Sequence, residues 1–148
     1  MTRKSAIILL AGGQARRMGG GDKNLIELAG KPVLRHVLDR VDFANRPIML
    51  NANGDPARYA DFGLPVCADV IDGYAGPLAG ILTGLEWVAA NQAACTHIVS
   101  LATDAPFLPI VLIARLGSRL DNVAAIAHAM SHTRPPPAFP LCPLALAR

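Results

Sequence analysis

The sequence has few aromatic and few charged residues, and it contains no long hydrophobic run. Aromatic side chains make up 5% and charged side chains 17% of its 148 residues, whereas hydrophobic residues reach 52%. This composition excludes an intrinsically disordered chain. The longest apolar run has six residues, 6–11, which is too short for a membrane span or a secretory signal. We therefore expect a soluble, cytoplasmic protein with no membrane partner.

Cysteine and histidine are too few and too scattered for a disulfide framework or a zinc site. Cys67, Cys95 and Cys142 are odd in number and far apart in the sequence, so we expect each of them to pack as a small hydrophobic residue. His128 and His132 stand four residues apart, but the absence of a third ligand beside them argues against zinc.

The net charge of +3 is concentrated near the amino terminus. Residues 1–23 contain five basic residues against a single acidic one, and they also hold five of the thirteen glycines. A nucleic-acid-binding protein usually shows a longer basic stripe with interleaved aromatic residues. The compact charge therefore favours a small polyphosphate ligand over DNA or RNA.

Short apolar segments alternate with amphipathic helical segments along most of the chain. The predicted strands are residues 5–10, 25–28, 48–50, 64–68, 97–101 and 123–126, and the predicted helices are residues 32–41, 78–89 and 109–120. This alternation implies βαβ units with right-handed crossovers. We expect an α/β fold with a three-layer, doubly wound and mostly parallel sheet, and a single domain over residues 1–148.

The carboxyl-terminal stretch breaks this pattern. Residues 135–148 hold five of the twelve prolines, and no glycine follows Gly117. Because proline lacks a backbone donor and fixes φ, this density argues against a helix or a central strand. We expect residues 134–148 to be an irregular or truncated end, which leaves the C-terminal part of the fold short.

Polar residues that follow the predicted strands mark the expected ligand-binding edge. In parallel sheets, ligands bind outside the carboxyl ends of the strands. Gly12-Gly13, Asn51, Asp69 and Asp104 stand at those ends, so the topology predicts that they face one crevice. Taken singly, Asp69 and Asp104 also fit an ordinary turn, because aspartate commonly follows a strand.

The loop over residues 10–23 has the ingredients of a phosphate cradle. It matches neither the GxGxxG fingerprint nor the GxxxxGKS/T loop. Its glycines let backbone N–H groups approach an anion, while Arg17 and Lys23 supply positive charge. On composition alone, a phosphate loop and a plain surface loop both stay open.

Ordered motifs lie between residue 5 and about residue 110. They are Leu10-Ala11-Gly12-Gly13, Arg17-Met18-Gly19, Lys23, Gly30-Lys31-Pro32, Asn51-Ala52-Asn53, Asp69, Gly76-Pro77-Leu78-Ala79-Gly80 and Thr103-Asp104-Ala105-Pro106-Phe107-Leu108-Pro109. Together these motifs resemble those of a known family, the MobA-type molybdopterin guanylyltransferases. The resemblance implies a Rossmann-like nucleotidyltransferase fold. It also implies transfer of GMP from GTP to Mo-molybdopterin, with release of pyrophosphate. The implied partners are these two substrates, together with molybdoenzymes or other cofactor-biosynthesis proteins.

The resemblance also implies roles for individual residues. Backbone groups hold the guanine and ribose, and side chains recognise the nucleoside; the nucleotide-binding set is Leu10, Ala11, Gly12, Gly13, Lys23, Asn51, Asp69 and Asp104. Arg17, Lys23 and Asp104 form the catalytic set. In that set, the two cations neutralise the phosphates and Asp104 carries Mg²⁺, a cation that commonly uses one carboxylate plus substrate oxygens.

Two alternative functions accompany this interpretation. Related cytidylyltransferases and sugar-phosphate nucleotidyltransferases tend to have Leu-Ala-Ala-Gly where this chain has Leu10-Ala11-Gly12-Gly13, and the second glycine favours guanine. The family usually continues beyond a length of 148 residues. The second alternative is therefore a truncated homologue that binds nucleotide without efficient turnover.

Overall fold

The computed structural model describes residues 4–11, 22–41, 46–73, 76–119, 127–128 and 140–147. The strands are β1 Ser5–Leu10, β2 Glu27–Leu28, β3 Lys31–Pro32, β4 Ile48–Asn51, β5 Val66–Cys67, β6 His97–Ala102, β7 Ala127–His128 and β8 Pro140–Pro143. The α-helices are α1 Val33–Arg40, α2 Pro77–Asn91 and α3 Leu112–Arg119, and short 3₁₀ helices cover Lys23–Leu25, Pro56–Phe62 and Leu144–Ala147.

Six of these strands form one sheet in the order β5-β4-β1-β6-β8-β7. Strands β5, β4, β1 and β6 are parallel, whereas β8 and β7 are antiparallel to their neighbours. In the centre, Ile7 of β1 lies opposite Ile48 on one side and Val99 on the other. The mostly parallel α/β sheet predicted from the sequence is confirmed.

Alternate side chains of β1 enter two separate hydrophobic clusters. Ile7 and Leu9 pack with residues of α1 and α3, while Ala6 and Ile8 pack with residues of α2 on the opposite face. All four side chains are fully buried, which explains why the strand is a continuous apolar run rather than an alternating one. The helices therefore cover both faces of the sheet, and the predicted three layers are confirmed.

Some segment boundaries differ from the prediction. Residues 25–28 were expected to be extended throughout, but they begin in the 3₁₀ helix Lys23–Leu25 and end in the β2–β3 hairpin. A turn at Ala29 and Gly30, both with positive φ, closes this hairpin. The third helix begins at Leu112 rather than near Pro109, and the strand predicted at residues 123–126 lies outside the described residues.

The proline-rich end contains a strand, which corrects the prediction that it would be irregular. Strand β8 lies between β6 and β7, and Cys142 is opposite Ile98. Its prolines, Pro140 and Pro143, occupy the first and last positions, where the missing N–H disturbs the ladder least. Local proline density therefore gave the wrong expectation for residues 140–143.

The cysteines behave as packing residues, as predicted. All three are free, and Cys95 and Cys142 are buried in the cluster on the α2 face, with Cys67 packed against it. Burial raises the pKa of each thiol above its usual value, which keeps the reactive thiolate scarce at neutral pH. Among the helices described, none has the length and apolarity needed to cross a bilayer.

Close packing of α2 on the sheet predicts opposite effects for two glycine substitutions. A Cβ at Gly84 would lie 2.5 Å from Cγ1 of the buried Ile8, whereas a Cβ at Gly117 of α3 would meet no atom of the described residues within 4 Å. We expect Gly84→Ala to lower the free energy of unfolding by about 1–3 kcal/mol through overpacking. Gly117→Ala should raise it by about 0.5–1 kcal/mol through helix propensity. Urea denaturation measures both, and an equally stable Gly84→Ala variant would contradict this packing.

Candidate functional site

Polar groups converge at the carboxyl ends of the parallel strands. Asn51 is the last residue of β4, and Asp69 follows β5 after one intervening residue. Thr103 and Asp104 follow β6 directly, and Leu10 ends the central strand β1. Because these strands are parallel, their ends lie on one edge of the sheet. The structure therefore brings Asn51 and Asp69 together, as the topology predicted.

A network of side-chain amides holds the carboxylate of Asp69. Asn51 donates from Nδ2 to Oδ1 of Asp69 over 2.9 Å, and Asn53 donates from Nδ2 to Oδ2 over 2.8 Å. In return, Oδ1 of Asn53 accepts the backbone N–H of Asp69 at 2.8 Å. Asn51 also donates to the carbonyl of Cys67 at 3.2 Å. Both amides are thus committed to fixing the orientation of one half-buried carboxylate.

The fixed carboxylate suits a neutral hydrogen-bond donor. A carboxylate has about four acceptor positions, and the two amides use one on each oxygen of Asp69. The remaining positions can accept a hydroxyl or a ring N–H of a nucleoside. A phosphate would instead be repelled by the negative charge. Asn53 had no role assigned from the sequence, although its place two residues after Asn51 put it on the same edge.

Hydrogen bonds beyond the strand ends join β1 to β4 and to β6 at this edge. Ala11 donates its N–H to the carbonyl of Asn51 over 2.8 Å. The carbonyl of Leu10 accepts the hydroxyl of Thr103 at 3.0 Å and its N–H at 3.3 Å. This carbonyl of Leu10 and this N–H of Ala11 are already bonded within the protein. The backbone role of the two residues toward a nucleotide stays a prediction.

Helix α2 lies directly on the Asn51 side chain. A Cβ at Gly80 would lie 2.3 Å from Oδ1 of Asn51 and 2.7 Å from Cδ2 of Leu10, so only glycine permits this approach. Thr83, one turn later, accepts the backbone N–H of Val70 at 3.0 Å and donates to the carbonyl of Ala79 at 2.8 Å. Thr83 thereby joins the helix to the segment that carries Asp69, a contact with no local sequence signal.

Lys23 and Asp104 differ from Asp69 because they are exposed to solvent. Within the part of the chain that the structure describes, neither charged group has a hydrogen bond or an ion pair. Both are therefore available to a ligand. Gly12, Gly13 and Arg17 lie outside the described residues, and their roles stay predictions.

A divalent cation fits Asp104 better than Asp69. A hard cation such as Mg²⁺ often takes one or two protein carboxylates and completes its shell with phosphate oxygens and water. Asp104 offers an exposed carboxylate, whereas both oxygens of Asp69 already accept amide hydrogen bonds. Across the described ranges, no cluster of three or more His, Cys, Asp or Glu side chains could hold a metal ion. Asp104 is thus suited to a cation that arrives with a phosphate ligand.

Comparison with known proteins gives a consistent set of relatives. The MobA-like NTP transferase domain family matches residues 7–147. Molybdenum cofactor guanylyltransferase of Rhodopseudomonas palustris strain BisB5 is 51% identical over 140 residues, which cover 94% of this chain and 67% of that protein. Among relatives of the same name with 48–51% identity, the chain spans 60–69% of their own length.

Solved structures share the fold at lower sequence identity. Molybdopterin-guanine dinucleotide biosynthesis protein A from Archaeoglobus fulgidus superimposes with a TM-score of 0.70 at 21% identity, covering 96% of this chain and 69% of that one. A cytidylyltransferase from Leptospira borgpetersenii also gives a TM-score of 0.70, at 16% identity, covering 98% and 62%. The fold therefore does not by itself distinguish the two bases.

The amide network predicts that Asp69 is sensitive to loss of its charge. In Asp69→Asn, an amide NH₂ would face one of the two donors, Asn51 or Asn53, and leave that contact without an acceptor. We expect the free energy of unfolding to fall by about 1–2 kcal/mol. Asp72→Asn, the same change at an exposed position, should alter it by less than about 0.5 kcal/mol. Chemical denaturation measures both, and equal stabilities would show that the network contributes nothing.

Proposed function

Since the chain belongs to the MobA-like NTP transferase family, we propose that it transfers GMP from GTP to Mo-molybdopterin and releases pyrophosphate. The observation that carries this proposal is the Asp69 carboxylate fixed by Asn51 and Asn53 at the carboxyl edge of the sheet. The 51% identity to a molybdenum cofactor guanylyltransferase supports the choice of substrates. A cytoplasmic location belongs to the same proposal.

The reaction is an in-line displacement at the α-phosphorus of GTP. An oxygen of the terminal phosphate of molybdopterin forms the new P–O bond, and the bond from the α-phosphorus to the bridging oxygen breaks. Pyrophosphate leaves with that electron pair. Because the attacking phosphate is already ionised at neutral pH, no general base is needed. Catalysis then consists of positioning the reactants and neutralising their charge.

The residues divide this work by charge. Asp69 accepts a hydroxyl or N–H of the nucleoside, and Asn51 keeps it oriented. Lys23, whose ammonium is exposed and unpaired in the described structure, binds the phosphates together with Arg17. The backbone of Leu10, Ala11, Gly12 and Gly13 holds guanine and ribose.

Asp104 completes the phosphate side of the site. Its exposed carboxylate would hold Mg²⁺, as the donor chemistry described above favours. When bound, Mg²⁺ supplies positive charge against the oxygens of the triphosphate and the departing pyrophosphate. Asp104 lies after β6 and Asp69 after β5, on opposite sides of β1 and β4 in the sheet order. This separation allows phosphate and nucleoside to occupy different ends of one crevice.

Transfer of CMP is the second candidate, because a cytidylyltransferase shares this fold with a TM-score of 0.70. Relative nucleotide affinity separates the two bases. GTP with Mg²⁺ should bind at least about tenfold more tightly than CTP, a difference of about 1.4 kcal/mol. Isothermal titration calorimetry with both nucleotides measures it. Equal or reversed affinities would contradict guanine specificity.

Substitutions of Asp104 and Lys23 test the assignment of these residues to the phosphates. Asp104→Ala should lower the rate of Mg²⁺-dependent transfer by roughly 10²–10³-fold, because charge on the phosphates is no longer neutralised in place. Lys23→Ala should weaken GTP binding by about tenfold through loss of a charge-assisted hydrogen bond. The assay is reconstituted with Mo-loaded molybdopterin, GTP and Mg²⁺.

Matched controls for these variants are available on the exposed surface. Asp72→Ala removes an exposed negative charge, as Asp104→Ala does, and Lys4→Ala removes an exposed positive charge, as Lys23→Ala does. Both control variants should leave the transfer rate and the GTP affinity unchanged. Normal transfer by Asp104→Ala together with normal GTP affinity of Lys23→Ala would refute these assignments. GTP binding by the parent chain without transfer would instead identify it as a nucleotide-binding homologue that does not turn over.

A further inference from the structure

Lys23 is flanked by two residues that are held from the same side. Asp22, immediately before it, forms an ion pair with Arg58, and Asn24, immediately after it, hydrogen-bonds to the hydroxyl of Tyr59 at 3.3 Å. Arg58 and Tyr59 are consecutive residues of the 3₁₀ helix Pro56–Phe62. The exposed lysine thus projects from a segment that is fixed at both neighbouring positions.

The guanidinium of Arg58 also binds the segment that positions Asp69. Its Nη2 donates to the carbonyl of Asn53, and its Nε donates to the carbonyl of Asp55 at 3.0 Å. Asn53 is the residue whose side chain holds Asp69 by two hydrogen bonds of 2.8 Å each. One side chain therefore connects the neighbour of Lys23 to the support of Asp69.

The hydrogen bond between Asn24 and Tyr59 is buried and joins two uncharged side chains. Asn24 is 3% exposed and Tyr59 is 1% exposed. Burial raises the pKa of Tyr59 above its usual value, so the phenol keeps its proton. The ring of Tyr59 in turn lies 5.2 Å below the guanidinium of Arg58, a distance at which a cation is attracted to the ring face. The two side chains that hold residues 22 and 24, Arg58 and Tyr59, therefore also contact each other.

We propose that Arg58 is a positioning residue, which sets the Lys23 ammonium relative to Asp69 so that phosphate and nucleoside of one nucleotide are bound together. This inference rests on the proposed function, because it assigns Lys23 to phosphate and Asp69 to nucleoside. Each of the three guanidinium nitrogens of Arg58 already donates to a protein oxygen, so the positioning role is assigned to its contacts with Asp22 and Asn53.

If Arg58 only stabilised the fold, its loss would shift the unfolding transition. The exposure of its ion pair argues against such a shift. Its side chain is 35% exposed and that of Asp22 is 25% exposed, and ion pairs in such settings contribute little to folding stability. Loss of Arg58 should therefore change nucleotide affinity while leaving the unfolding transition nearly unchanged. A direct phosphate-binding role also differs, because its effect would add to the loss of Lys23.

The experiment is a double-mutant cycle between Arg58 and Lys23. Arg58→Ala should raise the dissociation constant of GTP with Mg²⁺ by about tenfold, measured by calorimetry. Lys23→Ala combined with Arg58→Ala should lose clearly less affinity than the two single losses combined, because the part of the Arg58 effect that runs through Asp22 requires the lysine. Arg58→Lys retains the charge without the forked donor geometry, and it should not restore affinity.

Arg35→Ala is the matched control. Arg35 contacts the far end of the same 3₁₀ helix, donating to the carbonyl of Asp61 at 3.4 Å and lying 5.0 Å from the centre of the Phe62 ring. Its loss removes one half-buried positive charge and should change GTP affinity by less than about twofold. Full affinity of Arg58→Ala, or additive losses in the double variant, would overturn the proposal. An equal loss in Arg35→Ala would also overturn it.

A ligand-free measurement separates this inference from the proposed function. The N–H of Leu25 donates to the carbonyl of Asp22 at 3.0 Å, so its hydrogen exchange reports on the segment that carries Lys23. Exchange at Leu25 should be about tenfold faster in Arg58→Ala and unchanged in Arg35→Ala. If the parent chain binds no GTP, the proposed function fails. Unchanged exchange at Leu25 in Arg58→Ala overturns the positioning role in either case.

Discussion

Pairing of β1 with β4 on one side and with β6 on the other determines where the described site residues lie. Leu10 is opposite Asn51 in one ladder and Ala102 in the other, so three parallel strands end at the same level. Bonds from Ala11 to Asn51 and from Thr103 to Leu10 continue this registry beyond the strands. A slip of one residue in either ladder would turn every following side chain to the opposite face of the sheet.

The same edge places two aspartates in different chemical surroundings. Amide groups of Asn51 and Asn53 hold both oxygens of Asp69, which suits a neutral hydrogen-bonding partner. Asp104 is exposed and keeps its oxygens free of bonds to the described residues, which suits a cation. One short motif of three residues, which begins at Asn51 on the last position of β4 and ends at Asn53, thus accounts for the difference, because it supplies the amides on the Asp69 side alone.

Hydrophobic pattern and strand-end residues were sufficient to predict the central strands and the meeting of Asn51 with Asp69. These signals are local, and parallel topology converts them into a shared edge. The link from Arg58 to Asp22 spans 36 residues and uses a 3₁₀ helix with no clear period, so the sequence alone could not show it. Strand β8 was missed because its prolines argue against a strand, while its partner β6 is distant in sequence.

Helix α2 makes the stability of the core and the geometry of the site depend on one surface. Gly80 and Gly84 are one turn apart and face the sheet, where a Cβ would meet Asn51 at the first position and Ile8 at the second. The helix can approach β1 and β4 this closely only because both positions lack a side chain. Any change that moves α2 away from Ile8 also moves α2 away from Asn51. Because Asn51 holds the carboxylate of Asp69, that carboxylate is affected as well. The packing of the core and the geometry of the Asn51–Asp69 pair are therefore coupled through the backbone of a single helix.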